Sequence, residues 1–319
     1  MKPDAGSGGV VPKLSAAEIL NSVPDLENIA RVETVEFGRY PSPHITPEIM
    51  LQLSRLAQYH AERPEVAGII VTHGTDTLEE TAFFLDCTLK TSKPVVVVGA
   101  MRNSAEADWD GPRNLRDAVI IASRHEAQDY GTLICLSDVI NAASEATKTD
   151  ATDINTFASM NFGPVGRISN SSLFLYRKPV HRDHFDVKEL PAFVPLFKCY
   201  AGMEGGLVKL CRENGAAGFV IEGFGAGNVP PPVFYDLVEC VKQGLPVVLV
   251  SRCPVGRIEH TYAYEGAGKQ LYEAGVIFAD YMNGQKARIK LMCALGAGYG
   301  IEEIRRAFEW ASLQENDKF

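Results

Sequence analysis

Several things are missing from these 319 residues. No apolar run reaches the ~18–20 residues needed to span a bilayer. The first fifteen residues, MKPDAGSGGVVPKLS, hold no apolar stretch of the kind a secretory signal requires. Basic residues are in the minority: 31 Lys and Arg face 40 Asp and Glu, a formal charge of −9 at pH 7. That balance argues against the broad basic face of a nucleic-acid-binding domain. The cysteines (Cys87, Cys135, Cys199, Cys211, Cys240, Cys253 and Cys293) are odd in number and form no CxxC. Neither a disulfide framework nor a structural zinc site is expected. There is no tandem repeat and no low-complexity tract. What remains, 46% hydrophobic and 22% charged, is ordinary globular composition with room for one large domain or two of common size. The expectation is an acidic cytoplasmic protein that handles a small molecule, with no nucleic-acid or membrane partner.

Short apolar runs alternate with helical patterns. AGIIV (67–71), PVVVVGAM (94–101) and TLICLSD (132–138) read as strands, with helices over 77–89 and from about Pro112 to His125 between them. The nearly unbroken apolarity of 94–101 suits a strand buried on both faces. Such alternation predicts parallel strands joined by right-handed crossovers. A second block repeats it: AGFVIEG (217–223), a helix at Pro232–Lys242, LPVVLVS (245–251), VIFA (276–279), then helices near Gln285–Leu295 and Ile301–Ser312. Between the blocks, YRKPVHRDHFDVKELPAFVP (176–195) has three prolines and little periodicity. The organisation expected is two α/β domains, 1–177 and 196–319, joined by a linker over 178–195. Residues 1–15 read as a loop leading into the short helix AAEILNSV. No strand opens the first domain, as one usually does in doubly wound folds.

The segment VTHGTDTLEE (71–80) follows a strand and opens a helix, so Thr75 and Asp76 fall at the carboxyl edge of the sheet. Capping explains the same residues: Thr77 with Glu80 matches S/T-x-x-E, and Asp76 can itself be a cap. Lys148, in SEATKTDAT, also lies beyond a strand's carboxyl end. A lysine beside a threonine hydroxyl can serve as its base, and a solvated loop lysine is the plainer alternative. FGAGNVPPP (224–232) is a poor dinucleotide fingerprint, because prolines stand where a helix should open. His181 and His184 in HRDH fit a solvated linker better than a metal site.

Taken together, VTHGTDTLEETAFFLD, VGAMR (98–102), DGPRNLRDA (110–118), EATKT (145–149), NFGPVGR (161–167), GAGNVP (225–230) and QKARIKLM (285–292) resemble the bacterial-type L-asparaginase family in order along nearly the whole chain. The resemblance implies two α/β domains, a larger N-terminal doubly wound sheet and a smaller flavodoxin-like C-terminal domain. It also implies a homotetramer of intimate dimers, and hydrolysis of asparagine to aspartate and ammonia without metal or cofactor. Residue by residue, it makes Thr75 the second catalytic threonine and Lys148 the lysine of a Thr75–Lys148–Asp76 relay. Asp76 would hold the substrate's α-amino group and Ser42 its α-carboxylate, with Gly74 lining the same pocket. The main-chain carbonyl of Ala100 would face the side-chain amide. Asn228 and Glu265 would be contributed across the dimer contact. A free amino acid presents an ammonium and a carboxylate, and its amide can be hydrolysed through an acyl-enzyme on a hydroxyl, which suits these residue types.

One family motif is absent. The strand ending in GGTIA, whose threonine is taken as the primary nucleophile, does not occur; the chain begins at MKPDAGSGGVVP, which in similar sequences follows that motif directly. Pro43 follows Ser42 where a polar side chain is more usual, and residues 1–20 contain no tyrosine. Two expectations follow. Either the primary threonine lies upstream of Met1, where a signal peptide could also lie, or the chain is an inactive homologue that binds aspartate or asparagine.

Overall fold

The computed structural model describes residues 2–4, 6, 9–11, 13–191 and 193–311. They form two compact units that divide between His184 and Phe185. The first contains, in chain order, β1 (Lys2–Asp4), β2 (Gly9–Val11), α1 (Ala16–Asn21), α2 (Pro47–Ala61), β3 (Ile69–Thr72), α3 (Leu78–Thr88), β4 (Val95–Val98) and α4 (Gly111–Ala122). These are followed by β5 (Thr132–Leu136), β6 (Val139–Ala142), β7 (Thr147–Lys148), β8 (Phe157–Ala158), β9 (Gly166–Ser169) and β10 (Ser172–Leu175). The opening residues are not all loop: β1 and β2 pair antiparallel, Lys2 with Val11 and Asp4 with Gly9. A helix not anticipated from the sequence, α2, starts where Thr46 caps the N–H of Ile49 and Pro47 occupies the first turn. Met50, Ser54, Ala57 and Ala61 form its buried face.

The six-stranded sheet runs β10-β9-β6-β5-β4-β3. Its β3, β4 and β5 are parallel, with α3 and α4 as crossovers, as the alternation predicts. Beyond β5, where the sequence reading places no strand in the first domain, β6, β9 and β10 are added, all antiparallel to their neighbours. Two of these three reversals, β5–β6 and β9–β10, are two-residue turns with both residues in the left-handed region, Ser137–Asp138 (φ 51° and 65°) and Asn170–Ser171 (φ 49° and 61°). Such turns match strand twist but usually carry glycine, and neither of these does, so the sequence hides them.

The four valines of β4 divide between two cores. Val96 and Val98 pack with residues of α4, including Ala118 and Ile121, whereas Val95 and Val97 pack with Leu78, Ala82 and Leu85 of α3. Both faces of the sheet centre are therefore covered, which is why this run is apolar throughout. At the other extreme β3 is an edge strand, and its Ile69, Ile70 and Val71 are only half-buried. Arg182, in the stretch read as a solvated linker, donates to the buried Asp86 of α3 at 2.9 Å. Burial pushes that carboxyl up, and Arg182 opposes the shift.

Asp117 of α4 faces Asp138 in the β5–β6 turn. Burial first, and then the Asp138 carboxylate, push Asp117 up to about 7, against the pull of Arg113 and Arg116. A carboxyl whose pKa is raised on folding contributes stability that is fully present below its unfolded value of ~3.9, and the contribution declines as pH rises to the folded value. Asp117→Asn, neutral at every pH, is therefore expected to gain on the wild type by several degrees of Tm between about pH 4 and 7, with a level difference above that. Thermal unfolding across the range checks this; a constant difference would show that Asp117 does not titrate there.

The second unit contains β11 (Leu196–Lys198), α5 (Leu207–Glu213), β12 (Phe219–Gly223), α6 (Pro231–Lys242), β13 (Val247–Ser251), α7 (Gly268–Glu273), β14 (Ile277–Phe278), α8 (Gly284–Gly296) and α9 (Ile301–Phe308). Its sheet is parallel throughout, in the order β11-β12-β13-β14. Phe219, Ile221, Val247 and Leu249 pack with Val208 of α5, Val233 and Leu237 of α6, and Leu271 of α7. α8 packs against the same strands. α9 ends at Phe308, and after Glu309 the chain is helical again at Trp310 and Ala311; Ser312, to which the sequence pattern carries the helix, lies outside the described residues. Among the described residues no helix is long and apolar enough to cross a membrane.

Candidate active site

The chain leaves β3 through His73-Gly74-Thr75-Asp76 and enters α3. Gly74 is required by close approach, since a Cβ there would stand 2.9 Å from Ser42 Oγ and 3.0 Å from Ser42 Cβ. Ser42 is buried and opens a short 3₁₀ turn, Ser42–His44. Its Oγ accepts the N–H of Asp76 at 3.3 Å, and its carbonyl accepts the Thr77 hydroxyl at 2.7 Å. The second bond corrects the capping expectation. Thr77 is the N-cap residue of α3, but its side chain caps no helical N–H, and its hydroxyl instead donates to the Ser42 carbonyl.

Lys148 lies on β7, in the polar stretch after β6. Its Nζ stands 3.0 Å from Thr75 Oγ1 and 2.9 Å from Asp76 Oδ1. The lysine side chain is 17% exposed and that of Asp76 61%. An enclosed ammonium thus bridges a half-buried hydroxyl and a carboxylate still open to a solute. The main-chain N–H of Lys148 donates to the buried Glu79 in the first turn of α3.

His73 steadies the turn from behind. Its Nδ1 and the carbonyl of Gly74 are 2.6 Å apart, and its Nε2 is 2.9 Å from the Thr81 hydroxyl. Desolvation holds the imidazole below its ordinary pKa, outweighing the Gly74 carbonyl. A neutral ring donating to Gly74 and accepting from Thr81 satisfies both contacts. Gly99, just past β4, runs close to the same turn: a Cβ on it would stand 2.7 Å from His73 O and 3.1 Å from Thr75 Cγ2. That contact carries Ala100 to the edge of the Thr75 turn. Asn114 of α4 holds the Gly99 carbonyl at 3.0 Å, and Asp110 accepts the N–H groups of Met101 and Arg102 at 3.1 and 2.9 Å.

Ser42, Gly74, Thr75, Asp76 and Lys148 therefore meet in the first unit, with Ala100 beside them. Asn228 and Glu265 belong to the second unit. Asn228 closes a bridge with Phe224 and accepts the N–H of Gly268 at 3.2 Å. Glu265, exposed, accepts the hydroxyl of Tyr235. Their two loops are joined by the bond from Val229 N–H to Gly266 O, 2.9 Å. Glu79, His73 and Asn114 carry no role in the sequence reading, although all three stand within motifs quoted there; burial and partner, which give them weight, are invisible in one dimension. Among the described residues no group of three or more His, Cys, Asp or Glu side chains is placed to hold a metal.

Residues 1–181 match the family profile "Asparaginase, N-terminal", and residues 193–308 match "Glutaminase/Asparaginase C-terminal domain". The chain belongs to the asparaginase family. It is 36% identical over 311 positions to a "Probable L-asparaginase" of Deinococcus radiodurans, covering 96% of this chain and 92% of that one. To "L-asparaginase 2" of Escherichia coli (strain K12) it is 34% identical over 309 positions, 95% of this chain and 86% of that one. To "Probable L-asparaginase 3" of Schizosaccharomyces pombe it is 37% identical over 313 positions, 95% and 81%. An asparaginase-family amidohydrolase acts on a small amino-acid substrate, and the exposed carboxylate of Asp76 is a suitable partner for an ammonium group.

Proposed function

We propose that this protein is an L-asparaginase that converts L-asparagine to L-aspartate and ammonia through a threonine acyl-enzyme. The observation that carries the reading is the Lys148 ammonium group held at hydrogen-bond distance from both Thr75 and Asp76, at the carboxyl end of parallel strands. In this reading Asp76 takes the substrate α-ammonium and Ser42 its α-carboxylate, Gly74 leaves room for both, and the Ala100 carbonyl faces the amide. Thr75, Lys148 and Asp76 relay the proton that must reach the departing ammonia.

The primary threonine, on a strand ending in GGTIA, is assigned to a segment upstream of Met1. Its place would be beside β3, the apolar, half-buried edge of the sheet. A parallel strand there would end next to Gly74 and Thr75, opposite the Lys148 ammonium. The enzyme would be cytoplasmic and a homotetramer, with Asn228 and Glu265 supplied by a neighbouring subunit. Exposed Tyr235, which donates to Glu265, and exposed Tyr262 and Tyr264, close to Glu265 in the chain, support such a contact.

The test is ammonia release by the protein purified from its own cells, with intact mass measured on the same sample. Turnover, a mass above 34.8 kDa and a peptide reading through GTIA into MKPD are expected. A mass equal to that of the 319 residues, with aspartate binding in calorimetry and no turnover, would favour an inactive binding protein instead.

A further inference from the structure

The turn that begins α3 touches Lys148 at two places. Thr75 and Asp76 meet its ammonium group, and Glu79 accepts its main-chain N–H. Glu79 is only 3% exposed. Its position in the first turn of a helix favours a negative charge there, and a carboxylate accepting an N–H makes a charge-assisted bond roughly twice as strong as a neutral one. The strand carrying Lys148 needs such an anchor. β7 and β8 pair through only two residue pairs, Thr147 with Ala158 and Lys148 with Phe157. A ladder this short is a weak mount for a long, flexible side chain whose ammonium must sit on one hydroxyl.

We propose that Glu79 is a positioning residue: by gripping the Lys148 backbone it fixes that lysine to the helix turn carrying Thr75 and Asp76, and so keeps the ammonium group on the Thr75 hydroxyl. The inference rests on the reading above that the Thr75–Lys148 pair serves the chemistry. Both ends of the pair then ride on one rigid element, and their separation survives motion of the loops around β7.

Two measurements test it. In the 319-residue chain, NMR reads the Lys148 amide exchange rate and the Cε–Hε shifts of its side chain. Glu79→Ala is expected to speed that amide's exchange at least tenfold and to move the side-chain shifts, with β4 amides unchanged. Unchanged values at Lys148 would overturn the proposal. In the enzyme carrying the GGTIA segment, Glu79→Ala is expected to lower kcat about 100-fold, the scale of a ~1 Å misplacement, while KM for asparagine stays within about threefold. Glu79→Gln keeps an acceptor oxygen on a chain of the same length and is expected to recover kcat to within about fivefold of wild type. A folded Glu79→Ala enzyme with kcat within threefold of wild type would also overturn it. If Glu79→Ala fails to fold, Glu79→Asp, whose carboxylate is retracted by one methylene, is read against the same thresholds. Absence of any asparagine turnover in the wild-type enzyme would sink the asparaginase reading, and the NMR result would still decide whether Glu79 holds Lys148.

Discussion

Adding an N-terminal strand that ends in Gly-Gly-Thr-Ile-Ala is expected to raise ammonia release from asparagine by about 10⁶-fold over the 319-residue chain, the scale of losing a nucleophile outright. The nucleophile must sit ~3–3.5 Å from the amide carbon in an aligned approach. Backbone donors at the end of such a strand would also stabilise the developing oxyanion, at about 10²–10³-fold per donor. Thr75 with Lys148 retains a hydroxyl and a base but would lack those donors. The extension should act on stability too, because a strand laid on β3 buries the half-exposed Ile69, Ile70 and Val71. A strand of ~5–6 residues carries three or four inward side chains worth ~1.5–3 kcal/mol each. Activity and Tm should therefore rise together. Turnover by the 319-residue chain within tenfold of the extended one would make Thr75 the nucleophile and overturn the assignment.

In that extended enzyme, Lys148→Ala is expected to lower kcat by about 10³-fold, within the range for removal of a positioned acid–base group. KM should move much less, because Ser42 and the Asp76 backbone keep their places through the Asp76 N–H and the Thr77 hydroxyl, neither of which involves Lys148, and the Asp76 carboxylate that loses the ammonium is open to the substrate's own. Lys148→Arg should fall nearly as far, since a guanidinium keeps the charge but does not release a proton to become a base at working pH, as an ammonium can. Steady-state ammonia release with both variants separates charge from proton transfer. Normal release by Lys148→Ala would remove Lys148 from the mechanism. Equal losses in kcat and 1/KM would instead point to substrate binding through Asp76.

How much of this was legible beforehand differs from element to element. β4, β12 and β13 were plain because strands buried on both faces need apolar residues throughout. α2 is not anticipated from the apolar alternation, although Thr46-Pro47 and the spacing of Met50, Ser54, Ala57 and Ala61 carry its signal. The reversal at Ser137–Asp138 could not be read, because the turn adopts left-handed backbone without the glycine that usually marks it. Thr77 is misleading: it matches a capping box locally, but its backbone (φ −118°, ψ 17°) is not the extended one usual for a side-chain N-cap, and its hydroxyl points to the Ser42 carbonyl.

By itself the sequence determined the alternation of strand and helix, the two-unit chain, and Thr75 and Asp76 at the carboxyl edge of a sheet, because side-chain periodicity and turn chemistry act over a few residues. The tertiary structure alone decided that Lys148 comes within 3.0 Å of a hydroxyl 73 positions away, that Ser42 clasps the same turn, and that Glu79 holds the backbone of Lys148. Such contacts form only when sheet register and core packing close the intervening chain, and no local pattern records which residues that closure brings together.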